Sequence, residues 1–202
     1  MAETEVDRTQ TPAQPSDVLG VFRAEYIAVT GHDPVSETSY VMPAAQSALE
    51  TGQWQQMYCW NTGNVTHVSG DGYDYFHQPG GEVNGVPLDF RAYADLAAGA
   101  HDQLRLLNKN GVLTFADAGD LDGYIEALAQ SCYVGCRTAT YDPYPAYKRA
   151  MDGLTTQLLQ ITPTMPTTPP NVPTTPAKSG GGGAPVLLGL AAIAGIFIAR
   201  RK

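Results

Sequence analysis

The sequence is poor in basic residues: 12 Lys and Arg stand against 20 Asp and Glu, for a net charge of −8. Four of those bases, Lys178, Arg200, Arg201 and Lys202, lie beyond the last acid, which leaves eight in the body of the chain against all twenty acids. Such a surface lacks the Lys and Arg contacts on which phosphate-backbone binding depends, so no nucleic-acid partner is expected. Cysteine is scarce as well, with Cys59, Cys132 and Cys136 alone. A C-x3-C pair with one remote cysteine lacks a fourth ligand, and the four histidines are scattered, which excludes a zinc pattern. His67, His77 and His101 have no carboxylate or cysteine at metal-ligand spacing, so neither a metal nor a cofactor is expected. No phosphate loop, nucleophile elbow or H-E-x-x-H helix occurs. GDGYDYF lacks the twelve-residue ligand spacing and closing Glu of a calcium loop. The first fifteen residues lack the apolar core of a secretory signal and read as a disordered arm, 1–15.

What is present is enough apolar residue, 43% of 202, for one globular domain with attachments. Pro crowds into 163–176 and Gly into 180–183, so the domain is expected over 16–160 and a Thr/Pro stalk with a Gly linker over 161–183. The apolar run Ala184–Ala199 is followed by Arg200, Arg201 and Lys202. A run of that length, extended by the preceding glycines and closed by a basic cluster, predicts a single-pass transmembrane anchor over 184–202. The implied partner is a lipid bilayer, met through residues 184–199. With the basic end inward the domain faces the cell wall. The absence of a signal peptide then suggests a virion membrane, as in membrane-containing bacteriophages.

Within the domain the periodicity is mainly helical. Ser16-Asp17 opens a helix with Val18, Leu19, Phe22 and Tyr26 on one face, stopping at Gly31. A second helix is expected to start near Pro43 and run through Ala44, Ala45, Ala48 and Leu49 to Gly52. Residues 62–92 are Gly-rich and alternate in GYDYFHQ and PLDFRAY about PGGEVNG, the pattern of a β-hairpin lobe. Asp95 caps a helix bearing Leu96, Ala100, Leu104 and Leu107; Gly119-Asp120 precedes another; Pro145–Gln160 forms the last. The predicted fold is α+β: a mostly helical domain with a small β-hairpin lobe, plus the C-terminal transmembrane helix.

The residue best placed for chemistry is Glu50, in AAQSALETGQWQQMYCW. It ends an apolar helix face, where partial desolvation raises a carboxyl pKa and favours the protonated form that glycosidic cleavage needs. Trp54, Tyr58 and Trp60 supply flat surfaces of the kind that stack on sugar rings. A helix-terminal Glu beside core aromatics is the competing reading. Cys59 in a disulfide with Cys132 or Cys136, and three buried thiols, are both compatible with the spacing.

AAQSALETGQW resembles the AQAALESGWG segment of glycoside hydrolase family 73, the peptidoglycan glucosaminidases of flagellar-rod and autolysin type, in the lysozyme-like superfamily. MYCWNTGN is similar to that family's Y-N-x-F-G segment at Asn61 and Gly63. FRAYADLAAGAHDQLRLL resembles its F-R-x-Y helix-opening segment at Phe90, Arg91, Tyr93, Asp102, Leu106 and Leu107. ALAQSCYVG resembles A-L-x-x-A-G-Y-A-T and places Tyr133 on the active-site tyrosine; YDPYPAYKRAM resembles D-P-x-Y-x-x-K at Tyr147 and Lys148. These segments fall in family order over about residues 35–160. The aromatic before Gly63 is missing, and Cys132 stands where the family has Gly.

The resemblance implies an endo-β-N-acetylglucosaminidase acting on peptidoglycan, with Glu50 as general acid. Tyr133 would line the cleft, and Asp74, with Asp71 and Glu82 as substitutes, would be the second carboxylate of an inverting scheme. Substrate assistance would need no second carboxylate. Trp54, Trp60, Asn61 and Tyr147 would contact substrate. Cys59 and Cys132 would fall at the cleft walls, where a disulfide would fix Tyr133. Arg91 and Asp102 would tie the lobe base to the following helix. With the anchor, the expectation is a membrane-held peptidoglycan hydrolase, in a phage a virion lysin acting in genome delivery. The alternatives are a lytic transglycosylase or muramidase on the same fold, and a non-catalytic cell-wall-binding virion membrane protein.

Overall fold

A computed structural model describes residues 3–83, 86–131 and 144–162. Six helices and one hairpin follow in the order α1 (Pro15–Thr30), α2 (Thr38–Glu50), β1 (Asp74–Val83), β2 (Val86–Ala92), α3 (Leu96–Lys109), α4 (Leu113–Ala118), α5 (Leu121–Gln130) and α6 (Tyr144–Ile161). The α+β architecture read from the sequence, a helical core with a two-stranded lobe, is what the chain adopts.

α2 is the axis of the domain. Ser39 through Ala48 are all buried, as expected of a helix that is apolar or small-residued all round. α1, α4 and α6 pack on it, and α3 packs on α1. Its start was misplaced by the sequence reading. The helix begins at Thr38, so Pro43 lies inside it rather than in its first turn. The small residues that follow Pro43 let neighbouring helices approach closely. α1 closes at Gly31, whose φ of 79° is the left-handed cap that glycine favours. Asp95 and Asp120 cap α3 and α5 by accepting from the N–H groups of Ala98 at 2.8 Å and Gly123 at 2.9 Å. α4 was not foreseen, being only six residues long.

In the lobe, β1 and β2 pair antiparallel from Asp74↔Ala92 to His77↔Asp89, with a register irregularity before Glu82↔Pro87. Phe76 and Phe90 face each other with ring centroids 5.8 Å apart. The base of the lobe is riveted to α3 through Asp102, which is 2% exposed. Asp102 accepts from Arg91 Nη1 at 2.6 Å, Tyr93 O–H at 2.8 Å, Tyr73 O–H at 2.9 Å and Arg105 Nη2 at 2.6 Å. These donors outweigh burial and hold its carboxyl below the usual range. Arg91 and Asp102 thus make the lobe-to-helix tie expected of them.

The N-terminal arm corrects an expectation. Residues 3–14 are ordered along the lobe and helices instead of being a disordered tail. Glu3 accepts from the N–H groups of Gly70 at 3.0 Å and Gly72 at 2.7 Å, and Thr4 N–H donates to Asp74 Oδ1 at 3.0 Å. Further along, Thr11 N–H donates to the Met57 carbonyl at 2.9 Å, and Ala13 enters the core. Of the polar side chains that suggested disorder, Glu3 bonds backbone in the lobe, and Gln10 and Thr11 bond backbone of the segment after α2.

The transmembrane expectation is corrected too. Among the described residues no helix is long and apolar enough to cross a membrane. The longest, α6, has 18 residues but carries Lys148, Arg149 and Asp152. The span expected over 184–199, like the stalk from residue 163, lies outside the described residues. The bilayer partner, the single-pass location and the virion setting all rested on that span and are not retained.

Candidate active site

Glu50 is the last residue of α2, where the buried helix meets an unusual loop. In that loop Gln53, Trp54, Cys59, Trp60 and Asn64 all take positive φ, between 47° and 62°. Each such non-glycine residue costs about 1 kcal/mol or more. The turn is held by contacts back onto α2. Thr51 Oγ1 donates to the Ser47 carbonyl at 2.6 Å, and Gln53 N–H to the Ala48 carbonyl at 2.6 Å. Trp54 Nε1–H donates to Ser47 Oγ at 2.9 Å. Close approach pins the far side of the loop: a Cβ on Gly99 of α3 would stand 1.9 Å from the Trp60 carbonyl oxygen.

Burial and two side chains from different elements act on Glu50. Burial among the ends of α2 and α6 pushes its carboxyl up to about 7, against which hydrogen bonds from Tyr147 and Asn64 pull down. Tyr147, in the first turn of α6, donates its O–H to Glu50 Oε1 at 3.2 Å. Asn64 Nδ2 donates to the Glu50 backbone carbonyl at 2.6 Å and so ties the loop end to the helix end. A carboxyl with an ionisation near neutrality and a remaining edge toward solvent is a competent general acid.

The other expected site residues are distributed unevenly. Trp54 is 1% exposed and belongs to the core, so its ring is not a surface for sugar. Asn61, also buried, is structural: Nδ2 donates to the carbonyls of Val65 and Arg91, both at 2.9 Å, and Oδ1 accepts from Val65 N–H. Tyr147 is buried as well and meets Glu50, not solvent. Tyr58 is covered on one face by the Arg8 guanidinium, 3.4 Å from its ring centroid. Trp60 keeps part of its surface open, with its backbone N–H donating to Thr11 Oγ1 at 2.9 Å.

Asp74 is exposed at the start of β1 and accepts from Thr4 N–H. Asp71, its substitute, is committed to Arg91 Nε at 2.9 Å and to the N–H groups of Val68 and Tyr73. Cys59 is a buried free thiol: its Sγ accepts from Thr9 N–H at 3.4 Å, and its S–H donates to the Asp7 carbonyl at 3.5 Å. It is therefore not in the anticipated disulfide. Tyr133, Cys132 and Cys136 lie outside the described residues.

The histidines do find carboxylates: His67 with Asp71 at 3.1 Å, His77 with Asp89 at 2.7 Å and His101 with Glu25 at 2.9 Å. Glu3, His67 and Asp71 bring ligand-type atoms within 4.8 Å of one another. The Arg91 guanidinium on Asp71, and the two backbone N–H groups on Glu3, already supply the positive charge a cation would bring.

The fold is similar to that of the glycoside hydrolase domain from Salmonella typhimurium FlgJ. That domain superposes with a TM-score of 0.50 at 18% identity, covering 74% of this chain and 91% of its own. The chain has that fold. A C-terminally truncated form of the same domain gives 20% identity and a TM-score of 0.48, over 74% of this chain and 100% of its own. No family model and no curated protein matches the sequence. The Tyr147 contact with Glu50 was the part of the site that sequence reasoning missed. The i, i+4 pair Gln46 and Glu50 on α2 was a usable signal, since both point where buried tyrosines would have to donate.

Proposed function

We propose that the chain is a peptidoglycan hydrolase that cleaves the glycan strand as an endo-β-N-acetylglucosaminidase, with Glu50 as the general acid. The observation that carries the reading is the state of Glu50, a carboxyl at the end of the central helix, held by Tyr147 and ionising near neutrality. The shared fold with a glycoside hydrolase domain supports a glycosidase over other users of a single protonated Glu. The resemblance of the Glu50 segment to the glucosaminidase motif supports the linkage.

In this scheme protonated Glu50 delivers its proton to the leaving glycosidic oxygen as positive charge grows at the anomeric carbon. Water completes the hydrolysis, and the carboxylate left on Glu50 regains a proton from solvent. Trp60 is the aromatic of the Glu50 loop that is open to a sugar ring, through the apolar face that such stacking uses. The digestion of purified peptidoglycan by wild type and Glu50→Gln, read by mass spectrometry, tests the proposal. A reducing N-acetylglucosamine end made by wild type alone is expected. An anhydro-muramic end would point to transglycosylase chemistry, and no cleavage to wall binding without catalysis.

A further inference from the structure

α2 offers two acyl side chains one turn apart to tyrosines that come from different helices. Gln46, fully buried, takes the O–H of Tyr124 of α5 on Oε1 at 2.6 Å. Glu50 takes the O–H of Tyr147 of α6 on Oε1 at 3.2 Å. The first pair is sealed in the core. The second lies where the helix ends, and there Glu50 is only partly buried. A tyrosine 1% exposed has no surface for a sugar.

We propose that Tyr147 is a positioning residue for Glu50: by donating to Oε1 it keeps the acidic proton on Oε2 and aims that oxygen at the bond to be cleaved. This rests on the hydrolase reading of Glu50 and adds to it. A carboxylic acid with one oxygen accepting from a fixed donor carries its proton on the other, and the two oxygens cease to be interchangeable. Tyr147 is placed for this by α6, whose Met151 and Leu158 are buried on the same side and lock the helix onto α2. Asn64 ties the backbone carbonyl of Glu50 and also lowers its carboxyl, so the helix end is held from a second side while Tyr147 bonds Oε1. The Gln46–Tyr124 pair has the same build without an acid, and serves as an internal control.

The test compares full-length wild type, Tyr147→Phe and Tyr124→Phe, each labelled with carboxyl-13C glutamate, by NMR titration. The Glu50 signal is assigned by its loss in Glu50→Gln. A phenol donor favours the carboxylate over the acid, so its removal raises the Glu50 midpoint, by about half to one pH unit. Tyr124→Phe leaves that midpoint in place. On peptidoglycan at saturating concentration, Tyr147→Phe lowers the rate on the acid side roughly tenfold even though Glu50 is more fully protonated there. A merely structural tyrosine would lower stability with the midpoint unmoved, and that result overturns the proposal. So does an equal shift in Tyr124→Phe. If Tyr147→Phe does not fold, site-specific 3-fluorotyrosine at 147 keeps the shape and strengthens the donor. The midpoint then moves down, and an unchanged midpoint again overturns the proposal. Because the titration needs no turnover, it judges the Tyr147 contact even if Glu50→Gln cleaves as fast as wild type, the result that would sink the hydrolase reading.

Discussion

Replacing Glu50 by glutamine is expected to stabilise the fold above neutral pH and to leave it unchanged in acid. The carboxyl is pushed from its ordinary 4.5 up to about 7, chiefly by burial. Between those values the folded protein holds a proton that the unfolded chain has released, so stability falls as pH rises through the window. Below the lower value both states are protonated and nothing is lost; above the upper one the full penalty is present. A shift of that size is worth about 3 kcal/mol, at about 1.4 kcal/mol per unit. Glutamine is neutral, nearly isosteric, and keeps an acceptor for the Tyr147 O–H. At pH 8 the variant is therefore more stable by up to about 3 kcal/mol, roughly 6–10 °C in Tm for a domain of this size. At pH 4 the two proteins agree within about 0.5 kcal/mol. Urea unfolding at a series of pH values from 4 to 9 measures this. Parallel stability curves for the two proteins would refute the claim that Glu50 is a desolvated acid.

The same ionisation fixes the alkaline limb of activity. Cleavage is present below about 7 and lost as pH rises through it, because only protonated Glu50 can donate; a rate profile on purified peptidoglycan checks this. Asp102→Ala takes the shared acceptor from the Tyr73 and Tyr93 hydroxyls and leaves the partly buried Arg91 guanidinium with Asp71 alone, and should destabilise the domain by about 3 kcal/mol in urea unfolding. The sign of its pH dependence is opposite to that of Glu50. Asp102 has a depressed carboxyl, so the stability it provides is lost as pH falls through the folded value, and wild type and Asp102→Ala converge in acid.

The helical frame was legible because its signals are local. The 3.6-residue period of α1 and α3, the glycine stop at Gly31 and the Asp caps at 95 and 120 each act within one turn. The hairpin was legible from alternation about a Gly-rich turn. The site was less so. Glu50 was singled out through its apolar helix face, but nothing local says that the loop after it runs through left-handed residues and carries a buried Trp54. Aromatic residues near an acid look alike in sequence whether they face a cleft or a core. Asn61 was placed at substrate for the same reason, although its amide is consumed by the turn it closes. The arm was misread because polar residues that bond backbone over a separation of about seventy positions leave no periodic trace. Tyr147 was singled out, but its partner is 97 residues away, a pairing only the packing of α6 on α2 reveals.

The central claim is that Glu50 gives a proton to a glycosidic oxygen of peptidoglycan, and the direct measurement is the matched digest of peptidoglycan by wild type and Glu50→Gln near pH 6. The account predicts new reducing N-acetylglucosamine ends with wild type and a loss of at least about a hundredfold in their rate of formation with the variant. The variant should remain folded, and more stable than wild type at higher pH. Cleavage by Glu50→Gln at the wild-type rate would contradict it.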